Sequence, residues 1–181
     1  MKIFLIRHGE TTGDIEDRYG GSYDDHLTEH GRQQLQETAT RLAGQQIDRI
    51  YSSTLIRAKE SAEIINAELK TDIEFLDGLQ ERDYGVLGGL TKEEALEKYP
   101  EAVELHKDPV NTDPEGESQK DFIERVLDSF DSVCKQPYET IAIVSHGGPL
   151  KVIMRYLNMT LPDKIGDGEV FEVEVAQVSL P

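Results

Sequence analysis

One cysteine, Cys134, and no tryptophan occur among the 181 residues. A lone thiol closes no intramolecular disulfide and supplies no cysteine zinc site, so it reads as a small helix-packing residue. Basic side chains are scarce as well: 19 Lys and Arg stand against 36 Asp and Glu, a formal charge of −17. Nucleic acid and anionic membrane are gripped by Lys and Arg that neutralise phosphate, so this balance disfavours both as partners. It leaves a small anion open, because diffuse surface charge is screened beyond roughly 8 Å and a local basic pocket wins at short range. Long apolar runs are also missing. IFLI (3–6) is too short for a signal-peptide core, and nothing approaches the roughly 20 apolar residues of a membrane span. The expectation is one domain over 1–181 in the cytoplasm, with no membrane partner and the oligomeric state left open.

What is present alternates short apolar runs with longer amphipathic ones. KIFLI (2–6) reads as a buried strand, and Thr28 as the cap of a helix over 29–43 that Gly44 ends. DRIYSS (48–53) is a second strand, followed by a helix from Leu55 to Leu69. A loop rich in glycine and acid runs through Gly89, and Thr91 caps a helix ending before Pro100. Residues 106–118 read as a surface loop, and Ser118 opens a helix with Phe122, Val126, Phe130 and Val133 at helical spacing. TIAIVSH (140–146) is a strand, and Gly147-Gly148-Pro149 turns it into a helix reaching Leu157. EVFEVEV (169–175) alternates as a half-exposed edge strand does, and Glu169, Glu172 and Glu174 discourage pairing with another chain. This order predicts an α/β fold: a three-layer α/β/α sandwich on a mostly parallel central sheet.

Two segments share one design. IFLIRHG and IAIVSHG each carry an apolar strand into a histidine followed by glycine, Gly9 or Gly147, which permits close backbone approach. Ligands of open α/β sheets bind outside the carboxyl ends of the strands, where both histidines fall. SSTLIRAKESA (52–62) puts Arg57 in the first turn of a helix, whose N-terminus favours anions. If Arg7, His8, Arg57 and His146 converge, they form a cationic cup with forked donors suited to a phosphoryl group. A histidine between two arginines is held neutral, which frees a ring nitrogen to attack phosphorus. The same arginines repel a dication, so no metal is expected. LQERDYG (79–85) offers Glu81 or Asp83 as proton donor to the leaving oxygen, and spacing does not choose between them.

RHGET, LTEHGRQQ, SSTLIRAKESA, LQERDYG, GES and VSHGG, in this order across residues 2–157, resemble the histidine phosphatase superfamily, the cofactor-dependent phosphoglycerate mutase-like fold. The resemblance implies that His8 is the nucleophile, that Arg7, Arg57 and His146 hold phosphoryl oxygens, and that Glu81 is the general acid and base. Thr11 and Gly147 belong to the matching motifs and join Asp14, Gly21, Tyr84 and Lys92 as expected substrate contacts. Tyr84 and Lys92 match a substrate-contacting tyrosine and lysine of the mutases, and Gly21 and Tyr23 match the loop lining the substrate mouth. Asp14 replaces a usual asparagine and adds negative charge at the rim; Gly20 and Gly88 replace a glutamine and an acid.

Between Tyr99 and Glu117 the mutases carry a long insertion with an Arg-Arg pair for the second phosphate of a bisphosphate cofactor. Here only residues 100–116 intervene, with Lys107 as their one cation. A mutase must exclude water from its phosphoenzyme. Without that lid the expected activity is a metal-independent, cofactor-free phosphomonoesterase acting on a small phosphorylated metabolite. The alternatives are a compact 2,3-bisphosphoglycerate-dependent phosphoglycerate mutase and a noncatalytic phospholigand-binding protein.

Overall fold

The computed structural model describes residues 1–176; residues 177–181, which close the expected domain span, lie outside the described residues. In chain order the elements are β1 (Lys2–Arg7), α1 (Thr12–Ile15), α2 (Glu29–Leu42), β2 (Arg49–Ser53), α3 (Ile56–Leu69), β3 (Asp72–Leu76), α4 (Lys92–Lys98), α5 (Pro100–His106), α6 (Gln119–Cys134), β4 (Thr140–Ser145), α7 (Gly147–Tyr156) and β5 (Val170–Glu174). They build a sheet in the order β3-β2-β4-β1-β5, parallel except where β5 runs antiparallel to β1.

Strand alternation divides the core into two layers. Ile3 and Leu5 of β1 and Ile141 and Ile143 of β4 meet Phe122, Val126 and Phe130 of α6 and Leu150 of α7. Phe4, Ile6, Ala142 and Val144 meet Leu35 of α2 and Ala58, Ala62 and Ile65 of α3 on the opposite face. That is the expected three-layer sandwich.

The predicted caps form: the Thr28 and Ser118 hydroxyls accept from the Gly31 and Asp121 amides at 2.9 and 3.1 Å, and Thr91 closes a capping box with Glu94. The segment expected as continuous loop through Gly89 differs, because it contains β3. Among the described residues this edge strand pairs only with β2, so Asp72, Glu74 and Phe75 stay exposed and no apolar period betrays it. Pro100 ends α4 as expected but also starts α5, since proline at the first helical position forfeits only an amide that has no helical partner. Loop 106–118 lies outside the core clusters, yet its Asp113 is only 3% exposed.

Candidate active site

The site begins with register. β1 and β4 are adjacent and parallel with Arg7 opposite Ser145, so both strands end level and release His8 and His146 side by side at the carboxyl edge. The His8 amide donates to the Ser145 carbonyl at 3.0 Å, and the two rings lie 5.0 Å apart. Gly9 makes the expected close approach, since a Cβ there would sit 2.6 Å from the Gly31 carbonyl oxygen of α2. Gly147 does not, for a Cβ there would meet open space; the crowded glycine is Gly148, whose Cβ would fall 2.1 Å from Glu81 Oε1.

Hydrogen-bond partners set the ring tautomers. His8 Nδ1 lies 2.8 Å from the Gly9 carbonyl. A carbonyl only accepts, so Nδ1 carries the hydrogen and Nε2 keeps its lone pair. Burial pushes the His8 pKa well below its ordinary value, and the Arg57 and Arg7 charges push it further, against a smaller opposing pull from Gly9. His146 is likewise held neutral, first by burial and then by Arg57 and His8. Its Nδ1 accepts from Arg57 Nε at 3.2 Å, which leaves Nε2–H to donate to Ser53 Oγ at 2.8 Å.

Arg57, 3% exposed, comes from the first turn of α3 as anticipated. The neighbouring helix N-terminus is less open than expected, because the Ile56 amide donates to Asp24 Oδ1 at 2.5 Å. Arg57 Nε faces His8 Nε2 at 3.3 Å as well as His146, while Nη1 donates to the Tyr23 carbonyl and Asp25 and Nη2 to the Gly21 carbonyl. Arg7 donates through Nη1 to the Ile165 carbonyl at 2.6 Å and pairs with Asp167 at 2.9 Å. Burial raises the Asp167 pKa, and Arg7 opposes the rise.

Glu81 is gripped by backbone: Oε1 accepts from the Arg82 amide and Oε2 from the Gly148 amide at the start of α7, both at 2.9 Å. Asp83 instead accepts from the Gly85 amide within its own turn. Tyr84 lies close enough to Glu81 that the carboxylate charge, reinforced by burial, raises its pKa. The Asp14 carboxylate is engaged in a capping box, accepting from the Thr11 amide and hydroxyl at 2.9 and 2.8 Å.

Arg7, His8, Thr11, Asp14, Gly21, Arg57, Glu81, Tyr84 and Gly147 all line one cup of about 200 Å³; His146 lies beneath it against Arg57. Lys92 does not join them. Its ammonium sits 3.1 Å over the Tyr19 ring, where burial lowers its pKa. Three lining residues escaped the motifs: Gly13, Arg18 and Asp25. Nothing in the pattern separates Asp25 from the other acids of an acid-rich chain. Glu81 and Tyr84 also wall a second cavity of about 380 Å³, bounded further by His106, Asp113, Phe122, Lys151 and Arg155. Its loop wall hangs on Arg82, which donates to the Glu117, Pro109 and Asn111 carbonyls. Among the described residues no group of three or more His, Cys, Asp or Glu is arranged to hold a metal ion, and no helix is long and apolar enough to cross a membrane.

Two neutral histidines at adjacent strand ends, flanked by arginines beside an amide-held glutamate, place the molecule in a known class. The chain belongs to the histidine phosphatase superfamily (branch 1), whose sequence model matches residues 3–180. It is 34% identical over 186 residues to a 2,3-bisphosphoglycerate-dependent phosphoglycerate mutase of Parvibaculum lavamentivorans, covering 96% of this chain and 85% of the relative. It is also 34% identical over 163 residues to phosphoserine phosphatase 1 of Hydrogenobacter thermophilus, covering 84% and 74%. Among solved structures, Bacillus stearothermophilus YhfR superposes with a TM-score of 0.87 at 31% identity, covering 96% of this chain and 91% of that one.

Proposed function

We propose that the chain is a metal-independent phosphomonoesterase that works through phosphohistidine on His8. The observation that carries this reading is the His8 ring: Nδ1–H is tied to the Gly9 carbonyl and the ring is held neutral, so Nε2 keeps its lone pair at the wall of the cup, with Arg57 Nε–H 3.3 Å away until a phosphoryl group takes that place. In the first step Nε2 attacks phosphorus, an N–P bond forms, and the ester P–O bond breaks as Glu81 delivers a proton to the leaving oxygen. In the second, Glu81 takes a proton from water, whose oxygen displaces His8 and releases orthophosphate. Arg7 and the start of α7 at Gly147 offer positive potential to the phosphoryl oxygens. The alcohol portion occupies the adjoining cavity, whose size suits a small metabolite.

Mutase relatives make phosphoryl return to a second substrate the competing reading. The short 100–116 connection argues against it: α5 and an Arg82-held loop take up that length and leave no long cover over the cup. A phosphomonoester panel with EDTA present, run beside a bisphosphoglycerate-dependent mutase assay, tests the proposal. Orthophosphate release with a phosphorylated His8 trapped in acid-labile form is the expected result. Isomer interconversion without net release would replace it with the mutase, and phosphate binding with no turnover would replace it with a phospholigand-binding protein.

A further inference from the structure

One face of α7 runs the length of the larger cavity. Gly148, Lys151, Val152 and Arg155 line that space at helical spacing, and the Gly148 amide holds Glu81 Oε2 at 2.9 Å. The face therefore starts at the carboxyl group proposed to protonate the leaving oxygen. Seven residues on, at a rise of about 1.5 Å each, Arg155 stands about 10 Å farther along the helix axis. Val152 lies between the two ends, and Phe122 and Ile123 of α6 add further apolar wall.

Charge divides this cavity. No acid occurs in α7, and its two cations, Lys151 and Arg155, both face the space. Lys151 Nζ spends one hydrogen on the Asp163 carbonyl at 2.9 Å and has two left. Arg155 is exposed and, among the described residues, its side chain has no hydrogen bond or ion pair. The loop wall is of the opposite sign: Asp108 and Asp113 line it, with Asp113 Oδ2 at 2.8 Å from His106 Nδ1. An anion in the cavity is thus turned away from the loop and toward α7.

We propose that Lys151 and Arg155 form a second anion subsite, and that the preferred alcohol is an extended one whose far end carries a carboxylate about 10 Å from the ester oxygen. This rests on the phosphatase reading, which puts the ester oxygen at Glu81. The carboxylate of a short hydroxy acid ends near Glu81 and falls short of Arg155.

Four monoesters test the subsite at about pH 7.5, where carboxylates are ionised. The long pair is 6-phosphogluconate and its neutral-ended counterpart glucitol 6-phosphate; the short pair is 3-phosphoglycerate and glycerol 3-phosphate. Orthophosphate release is measured for wild type and for the double variant Lys151→Met, Arg155→Met. In wild type, kcat/KM for the long anion is expected to exceed that for the long neutral ester about tenfold, chiefly through KM, while the short pair differs by less than about threefold. The double variant brings the long ratio to within about threefold of one. A wild-type long ratio below about threefold overturns the proposal, as does turnover confined to the short pair. A lower melting temperature in the double variant with an unchanged ratio also overturns it, by assigning both cations to the C-terminal half of α7, where the helix dipole favours them. If wild type releases phosphate from no member of a broad monoester panel, the phosphatase reading falls. Calorimetric titration of wild type with the long pair then decides the subsite: about tenfold tighter binding of 6-phosphogluconate sustains it, and equal binding overturns it.

Discussion

The cup and the cavity beside it are built by different means. Strand register makes the cup: Arg7 ends β1 and His8 follows it, His146 follows β4, and the two strands end level. The cavity takes part of its wall from loop 106–118, which belongs to no sheet and is tied down in part by Arg82 reaching three of its carbonyls. On the proposed reading the reacting groups lie at strand ends, and the alcohol lies against a loop that can change without disturbing the sheet.

The largest effect that breaks this comparison is removal of the nucleophile. His8→Ala is expected to abolish turnover by on the order of a thousandfold or more on every monoester, whatever fills the cavity; EDTA-resistant activity within tenfold of wild type, measured by phosphate release, would refute the His8 mechanism. Next comes the strut. Arg82→Met strands three carbonyls and is expected to cost about 2–4 kcal/mol in urea unfolding, with KM for the best metabolite rising roughly tenfold while kcat moves less. Equal losses in kcat and KM would show that cup and cavity are not separable.

Protonation of His8 and His146 bears on the cup. His8 and His146 are held neutral in the fold, so as pH falls below the unfolded histidine value of about 6.5 the unfolded chain takes up protons first. Stability is therefore full above that value and declines below it toward the folded-state values, by up to about 1.4 kcal/mol per pH unit per histidine. Denaturation curves at about pH 7.5 and 5.5 should show a smaller drop for His146→Gln than for wild type; identical drops would mean His146 is not the group responsible. The smallest effect sharpens the other side. Arg155 lines the cavity and is exposed, so Arg155→Ala is expected to reduce the preference for anionic over neutral alcohols about threefold to tenfold in kcat/KM; an unchanged ratio would remove Arg155 from substrate choice.

The same contrast explains what the sequence disclosed. Arg7, His8, Arg57 and His146 were legible because each ends or follows a strand or opens a helix, and those periods are local. Asp25 and Arg82 were not, since their partners lie across the fold: Asp25 meets Arg57 32 residues away, and Arg82 meets Glu117 35 residues away. Lys92, a contact that the family resemblance implied, lies over Tyr19, a pairing that no local period announces. β3 was hidden because an edge strand with three exposed residues has almost no apolar face to announce.

Gly148 limits how this chain can diverge. An alanine methyl there would occupy the place of the Glu81 carboxylate, so no single step away from glycine leaves Glu81, the proposed proton shuttle, where it stands. A lineage descending from this sequence can exchange the loop, lengthen it or recharge it and so acquire new substrates. It can do so only while carrying forward one missing carbon atom at the head of α7.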